Sequence, residues 1–558
     1  MMDAFSSRTG TKSLPNAYRT LIRQRLFLLL AIAFLLLLTA ISLFSRPLLA
    51  VDETRYTSVA WEMWYQNHWI LPTLNGVVYA HKPPLLFWLF HLSWGLFGVN
   101  DISPRLITPL FALFSLLLIQ RLSRALWPDD THTEQLSPLV LVGFFVWSAY
   151  STVANFDIVL VFFVLLALIY SAEGLLLEHR RWYMFTGFFV GLGLLTKGPV
   201  MILDTFPVLL LMPWWRSDPE RVCVTTGAWY KGLLLALIIG ITIALCWVIP
   251  AAIQGGHEYA YKLLWQQTSN RIAESFAHAH PWYWYLIWLL PMLLPWLLIM
   301  GKWRWRHWRY LDQGSRFCLL WFGSTLLLFS FVSGKQIHYI LPVFPALALF
   351  IARSFAKNAA PVSGFLLAGS LGLAIACVLM FAPELCLQFA SASWVCNGTQ
   401  RIGALPLLLV GLSLLVMKTN NRLAFAGLAS LANLVLCAVL INFSEPLASQ
   451  NLKPLANVVK QLQDDGHTTA FIGSYHGELN FLGRLRTPLV VMEKEELGNW
   501  LDKHQEGFWI EIVDNPVSNC ASEMLPYRAH TAVIASLRGC KKHSTGKDNS
   551  QVKDLTGL

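Results

Sequence analysis

Asp52-Glu53-Thr54-Arg55-Tyr56 follows the first long apolar run of this chain, and the same segment carries on to Tyr79, His81 and Lys82. Further ionisable residues stand at the ends of later apolar runs. These are Asp157, Lys197, then His257, Glu258, Lys262, Arg271 and Glu274, and finally Lys335, His338 and Tyr339. Two carboxylates can accept a proton or orient an attacking group. Lysines and arginines can hold a phosphate, Arg through a bidentate fork. The chain has neither a P-loop nor a Gly-rich strand–turn–helix fingerprint. The set therefore suits transfer of a group from a donor whose phosphate is not part of a nucleotide.

Each member also has a simpler reading. Asp52 and Asp157 sit just before helical runs, where aspartate is a preferred N-cap. Lys82, Lys197 and Lys335 could be cations snorkelling to a water interface, and Tyr339 an interfacial aromatic. His257, His278 and His280 are spaced too loosely to define a metal site. The chemical reading rests on the set as a whole, because ionisable groups at membrane depth are costly and usually face a polar cavity.

That depth follows from composition. Of 558 residues, 55% are hydrophobic and only 13% charged, too few to cover the surface of a soluble protein. Apolar runs near the spanning length of ~20 residues recur to about residue 443. The fold class is an α-helical polytopic membrane protein. The formal charge of +10 resides mostly in short loops between those runs, so it reports topology and gives no sign of a nucleic-acid surface. Candidate spans are 26–45, 104–120, 136–153, 158–177, 183–196, 199–215, 232–250, 284–301, 317–332, 338–352, 362–382, 403–417 and 423–442.

Residues 1–25 are read as a cytoplasmic N-terminus, since 26–45 is too long for the core of a cleaved signal. Every second loop is then cytoplasmic, and those loops hold Arg121, Arg124, Arg180, Arg181, Arg216, Arg221, Lys231, Arg304, Arg306, Arg353, Lys357, Lys418 and Arg422. The alternate loops are poor in basic residues, as the positive-inside rule requires. Asp52, Lys82, Asp157, Lys197 and Lys335 all fall at the opposite, external face.

Three parts organise the chain. The transmembrane bundle covers 26–443 and includes a long external loop at 46–103. In that loop, Glu53–Gln66 carries apolar residues at helical spacing and reads as a helix lying in the interface. Leu85–Phe97, about 13 residues long, is short for a span and reads as a second interfacial helix. A more polar region at 450–540 reads as a small external α/β domain, with strands near Thr469–Tyr475, Pro488–Met492 and Phe508–Val513 and a helix near Glu493–His504. The tail, 541–558, has a disordered composition. Cys386 with Cys396, and Cys520 with Cys540, fall in external segments where disulfides are permitted.

The runs Val51-Asp52-Glu53-Thr54-Arg55-Tyr56, Tyr79-Ala80-His81-Lys82-Pro83-Pro84-Leu85 and Ser333-Gly334-Lys335-Gln336-Ile337-His338-Tyr339-Ile340-Leu341-Pro342 resemble motifs of the bacterial aminoarabinose transferases. The resemblance covers about residues 45–355. It implies the GT-C architecture and transfer of a sugar from undecaprenyl phosphate to lipid A phosphate at the periplasmic face of the inner membrane. By the same resemblance Asp52 and Asp157 are the essential carboxylates, and Lys82 and Arg271 grip the carrier phosphate. Arg55 and Lys197 assist there, while Glu53, Tyr56, Tyr79, Lys335 and Tyr339 line the substrate cavity. Where that family has a glutamate proposed as a metal ligand, this chain has His81, so the resemblance leaves room for a divalent metal such as zinc held by His81. The implied partners are a polyprenyl-phosphate sugar donor, lipid A or another envelope acceptor, and membrane lipids.

Two competing classes are a related transferase with another sugar or acceptor, and a lipid flippase or transporter. A transporter is expected to place charged or helix-breaking residues near span midpoints, often in repeated halves. Here the charges collect at one face and no repeat is evident.

Overall fold

The computed structural model describes residues 16–177, 181–216, 224–263, 279–294, 296–299, 311–357, 362–386, 400–416, 422–442, 450–514, 521–528 and 530–537. The chain opens with α1 (Asn16–Ser45), then α2 (Asp52–Tyr65), the two-stranded ribbon β1 (Thr73–Leu74) and β2 (Val77–Val78), and α3 (Leu85–Phe97). The helices α4 (Ser103–Leu126), α5 (Thr131–Val142), α6 (Phe145–Tyr150), α7 (Phe156–Leu177), α8 (Arg181–Lys197), α9 (Val200–Leu210), α10 (Met212–Trp215) and α11 (Thr226–Tyr261) follow. Later helices include Trp284–Leu293, Gln313–Phe331, Phe344–Lys357, Val362–Cys386, Gln400–Val416 and Arg422–Asn442.

Among the described residues, helix occurs in each of the thirteen apolar runs, but the runs are not equivalent. Among the described residues, six helical stretches are long and apolar enough to cross a membrane: Leu26–Ser45, Ser103–Leu126, Phe156–Leu175, Thr226–Tyr261, Gln313–Phe331 and Ile337–Lys357. Other runs are shorter or broken. The run at 136–153 is divided at Gly143 between α5 and α6, and the run at 199–215 is divided at Leu211 between α9 and α10. Pro138 and Pro207 lie inside α5 and α9, where a missing N–H and a ring clash weaken the helical ladder. Near the end of α11, Gly256 takes φ of 76°, a conformation open to glycine at little cost, and interrupts the helix there. The centre of the bundle is α7, most of whose side chains are buried, whereas much of α11 is exposed along an apolar face.

The basic residues of α4 and its loops are knitted at one end of the bundle. Arg121 forms a two-pronged pair with Glu173 at 2.8 Å, and Arg353 reaches both Asp130 and Asp312. The other end of α4, about 36 Å away at 1.5 Å per residue, starts at Ser103 beside the segment that leads to Asp52.

The polar region after 450 folds as helix Lys453–Asp464 and a five-stranded sheet. The strands are β3 (Thr469–Ile472), β4 (Val490–Met492), β5 (Phe508–Val513), β6 (Ala521–Tyr527) and β7 (His530–Ser536), in the order β4-β3-β5-β7-β6. β3 is parallel to β4 and β5, and the β5-β7-β6 half is antiparallel. One sheet face, with Trp500, Trp509 and Val533, forms its own small core. The other, with Phe471, Ile510 and Tyr527, is continuous with the core of the bundle. The domain is joined to the first loop by specific bonds. The Trp61 indole donates to the Leu485 carbonyl at 2.9 Å, and the Phe481 amide donates to the Ser58 hydroxyl at 2.9 Å.

Candidate active site

Two adjacent carboxylates at the start of α2 have opposite surroundings. Glu53 is wholly buried. It accepts from the Arg46 guanidinium at 2.5 and 3.1 Å, from the Leu49 amide at 2.8 Å and from the Ala154 amide at 2.7 Å. Arg46 also donates to the Thr152 carbonyl at 2.8 Å, and Arg105 donates to the Ser42 carbonyl at 2.7 Å. Burial raises the pKa of Glu53, but Arg46 and Arg105, with the Arg46 and Ala154 hydrogen bonds, more than offset it and hold the carboxyl ionised. Glu53 therefore does not line the cavity. It locks α2 onto the end of α1 and onto the turn before α7.

Asp52 is free of such partners, with 68% of its side chain accessible and Arg55 at 3.8 Å. It is the first residue of α2 rather than its cap, which is Val51 at φ 71°. Positive φ is an outlier for a β-branched residue. Desolvation by surrounding protein raises the Asp52 pKa; Arg55 opposes this, Glu53 adds to it, and Lys82 opposes it again.

Asp157 is likewise no cap. The Asn155 side chain accepts from the Asp157 and Ile158 amides at 3.0 and 3.3 Å, so Asn155 starts α7. The buried Asp157 carboxylate instead takes the Lys197 ammonium, with His338 Nε2 at 3.9 Å. Lys197 also lies 4.5 Å from the centroid of the Tyr339 ring, a cation–π contact.

Phe156 joins the two halves. Its ring meets Tyr56 edge-on at 4.9 Å and Phe87 at 5.6 Å, and the Lys82 ammonium lies 5.5 Å from its centroid. Lys82 acts electrostatically on both Asp52 and Asp157. Tyr79 packs against His81 at 5.2 Å and couples to Arg55 and Tyr56. The fold thus gathers Asp52, Arg55, Tyr56, Tyr79, His81, Lys82, Asp157, Lys197 and Tyr339 at one end of the bundle.

The Lys335 ammonium is engaged by backbone carbonyls. It is buried and donates to the carbonyls of His280 and Val332 at 2.8 and 2.5 Å, stitching a bridge between Ala279 and Gly334. Arg271 lies outside the described residues, as do Cys396, Cys520 and Cys540 of the two expected cysteine pairs, and the tail. Around His81, no three His, Cys, Asp or Glu side chains among the described residues are grouped to hold a metal ion.

Sequence reasoning passed over three participants. Phe156 looks like any core aromatic. Asp204 lies in the apolar helix α9, fully buried, with neither carboxylate oxygen hydrogen-bonded, and within electrostatic range of Lys197 and Asp157. An acid inside an apolar run is itself a signal of a functional position. Glu62, on α2, is also buried and accepts from the Asn75 amide, from the Gly76 amide at 3.1 Å and from Asn480 at 2.9 Å. Asn75 in turn exchanges bonds of 2.8 and 2.9 Å with the Leu489 backbone. This network fixes the β1–β2 ribbon, and with it the segment carrying Tyr79, His81 and Lys82, against both α2 and the last domain.

Known proteins share this arrangement of elements. The dolichyl-phosphate-mannose-protein mannosyltransferase family matches residues 81–247. The undecaprenyl phosphate-α-4-amino-4-deoxy-L-arabinose arabinosyl transferase of Enterobacter sp. (strain 638) is 30% identical over 318 residues, 55% of each chain. That of Shewanella sediminis is 31% identical over 329 residues, 57% of this chain and 58% of its own. The chain thus spans about half the length of these curated relatives. The crystal structure of ArnT from Cupriavidus metallidurans bound to undecaprenyl phosphate superposes with a TM-score of 0.75 at 19% identity, covering 92% of this chain and 99% of that one. The likeness to aminoarabinose transferases read from the loop motifs is borne out, and the chain shares its fold with the ArnT structure.

Proposed function

We propose that this protein moves an aminoarabinose-type sugar from a polyprenyl phosphate to a phosphate of lipid A, at the periplasmic face of the inner membrane. One observation carries the reading: Lys82 lies 5.5 Å from the ring of Phe156, which packs on Tyr56 of α2 and precedes Asp157 with its partner Lys197, at the end of the bundle away from the basic loops. The activity of the relatives, which this chain matches over about half their length, supports the choice of donor and sugar.

In this mechanism an oxygen of the acceptor phosphate bonds to the anomeric carbon of the sugar. The bond from that carbon to the carrier phosphate breaks, and the electron pair leaves with the carrier. Lys82, with Arg271, neutralises the charge that develops there. The acceptor is already an anion, so no base is required, and Asp52 orients the sugar. Asp157 is a positioning residue that fixes Lys197 under Tyr339.

Purified protein given polyprenyl-phosphate aminoarabinose and lipid A should add the mass of one pentosamine to lipid A, and Lys82→Ala should abolish the gain. Unmodified lipid A with verified donor and folded protein would overturn this reading. A second reading, favoured by the mannosyltransferase match at 81–247, has a protein or glycan hydroxyl as acceptor. There Asp52 would serve as the base, and the product would be a neutral glycoside.

A further inference from the structure

A second polar cavity lies away from these residues, where the C-terminal half of α2 meets the last domain. It has a volume of about 580 Å³ and is lined by Trp61, Trp64, Tyr65, Val99, Arg484 and Arg486. A depression of about 340 Å³ sharing Trp61, Arg484 and Arg486 extends it past Lys460, which is paired with Asp464 at 2.7 Å. Trp64 is twelve residues beyond Asp52 on the same helix, about 18 Å at 1.5 Å per residue, so this groove is separate from the catalytic cluster.

Its two arginines are differently held. Arg484 has a positive φ of 51°. Its guanidinium lies 3.8 Å from the Phe481 ring centroid and 5.9 Å from that of Trp61, and pairs with Asp101 at 2.6 Å. Asp101 also takes Lys453 at 2.7 Å. Arg486 is exposed, and its guanidinium has no acidic partner among the described residues. The Tyr65 hydroxyl donates to its carbonyl at 3.3 Å, which holds the backbone of this cation at the groove. One lip of the groove, Val99, lies in the short connection between α3 and α4, and both helices carry exposed apolar residues: Leu92, Leu96 and Phe97 of α3, and Leu106 and Leu110 of α4. On a membrane-spanning chain those residues face lipid tails. An aromatic-walled groove with an exposed arginine, flanked in the chain by helices with lipid-facing apolar residues, has the polarity of an anionic amphiphile.

We propose that the groove binds the phosphate headgroup of a membrane lipid, its tails lying along α3 and α4. Arg486 donates a charge-assisted pair of hydrogen bonds to the phosphate, and Trp61, Trp64 and Tyr65 form the interfacial wall. Two sources share this chemistry: a bulk anionic phospholipid, and the phosphorylated glycolipid acceptor. Binding needs no transfer reaction, so it stands apart from the assignment of the active site.

Full-length protein in detergent would be titrated with phosphatidylglycerol, phosphatidylcholine and lipid A, with bound lipid read by native mass spectrometry. Wild type should bind at least one phosphate lipid without a choline head in a salt-sensitive way, and phosphatidylcholine weakly. Arg486→Glu and Arg486→Ala should each lower that affinity about tenfold or more, from the loss of a charged hydrogen bond. A loss for phosphatidylglycerol as well as lipid A makes the site a phospholipid site; a loss confined to lipid A makes it part of acceptor capture. Asp52→Asn should bind as wild type does, so failure of the catalytic reading leaves this result intact. Equal binding of phosphatidylcholine, or Arg486 variants indistinguishable from wild type for both anionic lipids, would overturn the proposal.

Discussion

Replacing Glu53 by Gln should unfold the outer end of this bundle far more readily than replacing Asp52 by Asn, although the two residues are adjacent. Glu53 is the counter-ion of a buried Arg46, with Arg105 close behind it, both arginines 5% exposed. Removing one partner of a buried pair strands the other charge, at about 3–5 kcal/mol. A glutamine oxygen also cannot serve the Leu49 and Ala154 amides as two carboxylate oxygens do, and a buried donor left unpaired costs about 1–3 kcal/mol. The terms overlap, so the expected loss is roughly 4–6 kcal/mol. Asp52 has no such role, and because its carboxyl is held above the ordinary range, neutralising it should leave stability unchanged or higher. Thermal unfolding in detergent, followed by tryptophan fluorescence, makes the comparison. Arg46→Met combined with Glu53→Leu should recover much of the lost stability, since removing both charges removes the stranded one. A Glu53→Gln melt superimposable on wild type, or an Asp52→Asn melt equally depressed, would refute the division of labour drawn between these carboxylates.

Further outcomes follow from the same geometry. Asp52→Asn should lower the transfer rate by about 10², from loss of the sugar's orientation, while protein folds normally. The ionised form is the active one, so wild-type activity should fall as pH drops through an Asp52 pKa raised above the ordinary aspartate value, and a pH–rate profile reads this. Glu53 has the opposite sign: its folded pKa is lowered, so its stabilisation is complete above the ordinary glutamate range and is lost as pH falls through the depressed value, visible in acid melts. Asp204→Asn should leave the melting temperature equal or higher, because a buried carboxylate without hydrogen bonds is costly; a large drop would mean that it has a partner. Asn75→Ala, which removes both bonds to Leu489, should raise KM for the donor more than it lowers kcat, by loosening the ribbon that leads to Lys82.

Much of the fold was legible because it depends on local pattern. The helical spacing after Asp52 and the short run after Pro84 predict α2 and α3, and the strands β3, β4 and β5 fall where the apolar segments after 468 place them. The ribbon at 73–78 was missed, although Asn75-Gly76, both at positive φ, is a strong hairpin signal. β6 and β7 were missed because Glu523 and Pro526 break the strand pattern of the first. In the site, Asp52, Lys82, Asp157 and Lys197 could be found from charge at the ends of apolar runs. The role of Glu53 could not, since its amide partner at Ala154 is 101 positions away. The same holds for Lys335, which looks like a cavity cation in sequence and proves to be a backbone tie to His280.

The pairing of Asn75 with Leu489 spans 414 positions, and this sets a clock on biogenesis. The ribbon that leads to Lys82 emerges early in translation, yet its anchor is among the last segments made. At about 5–20 residues per second of synthesis, the ribbon waits roughly 20–80 s before its contacts with the last domain exist. During that interval the protein is membrane-inserted but catalytically incomplete. A chain truncated before residue 480 should therefore insert and remain inactive, even though every catalytic candidate is present in it.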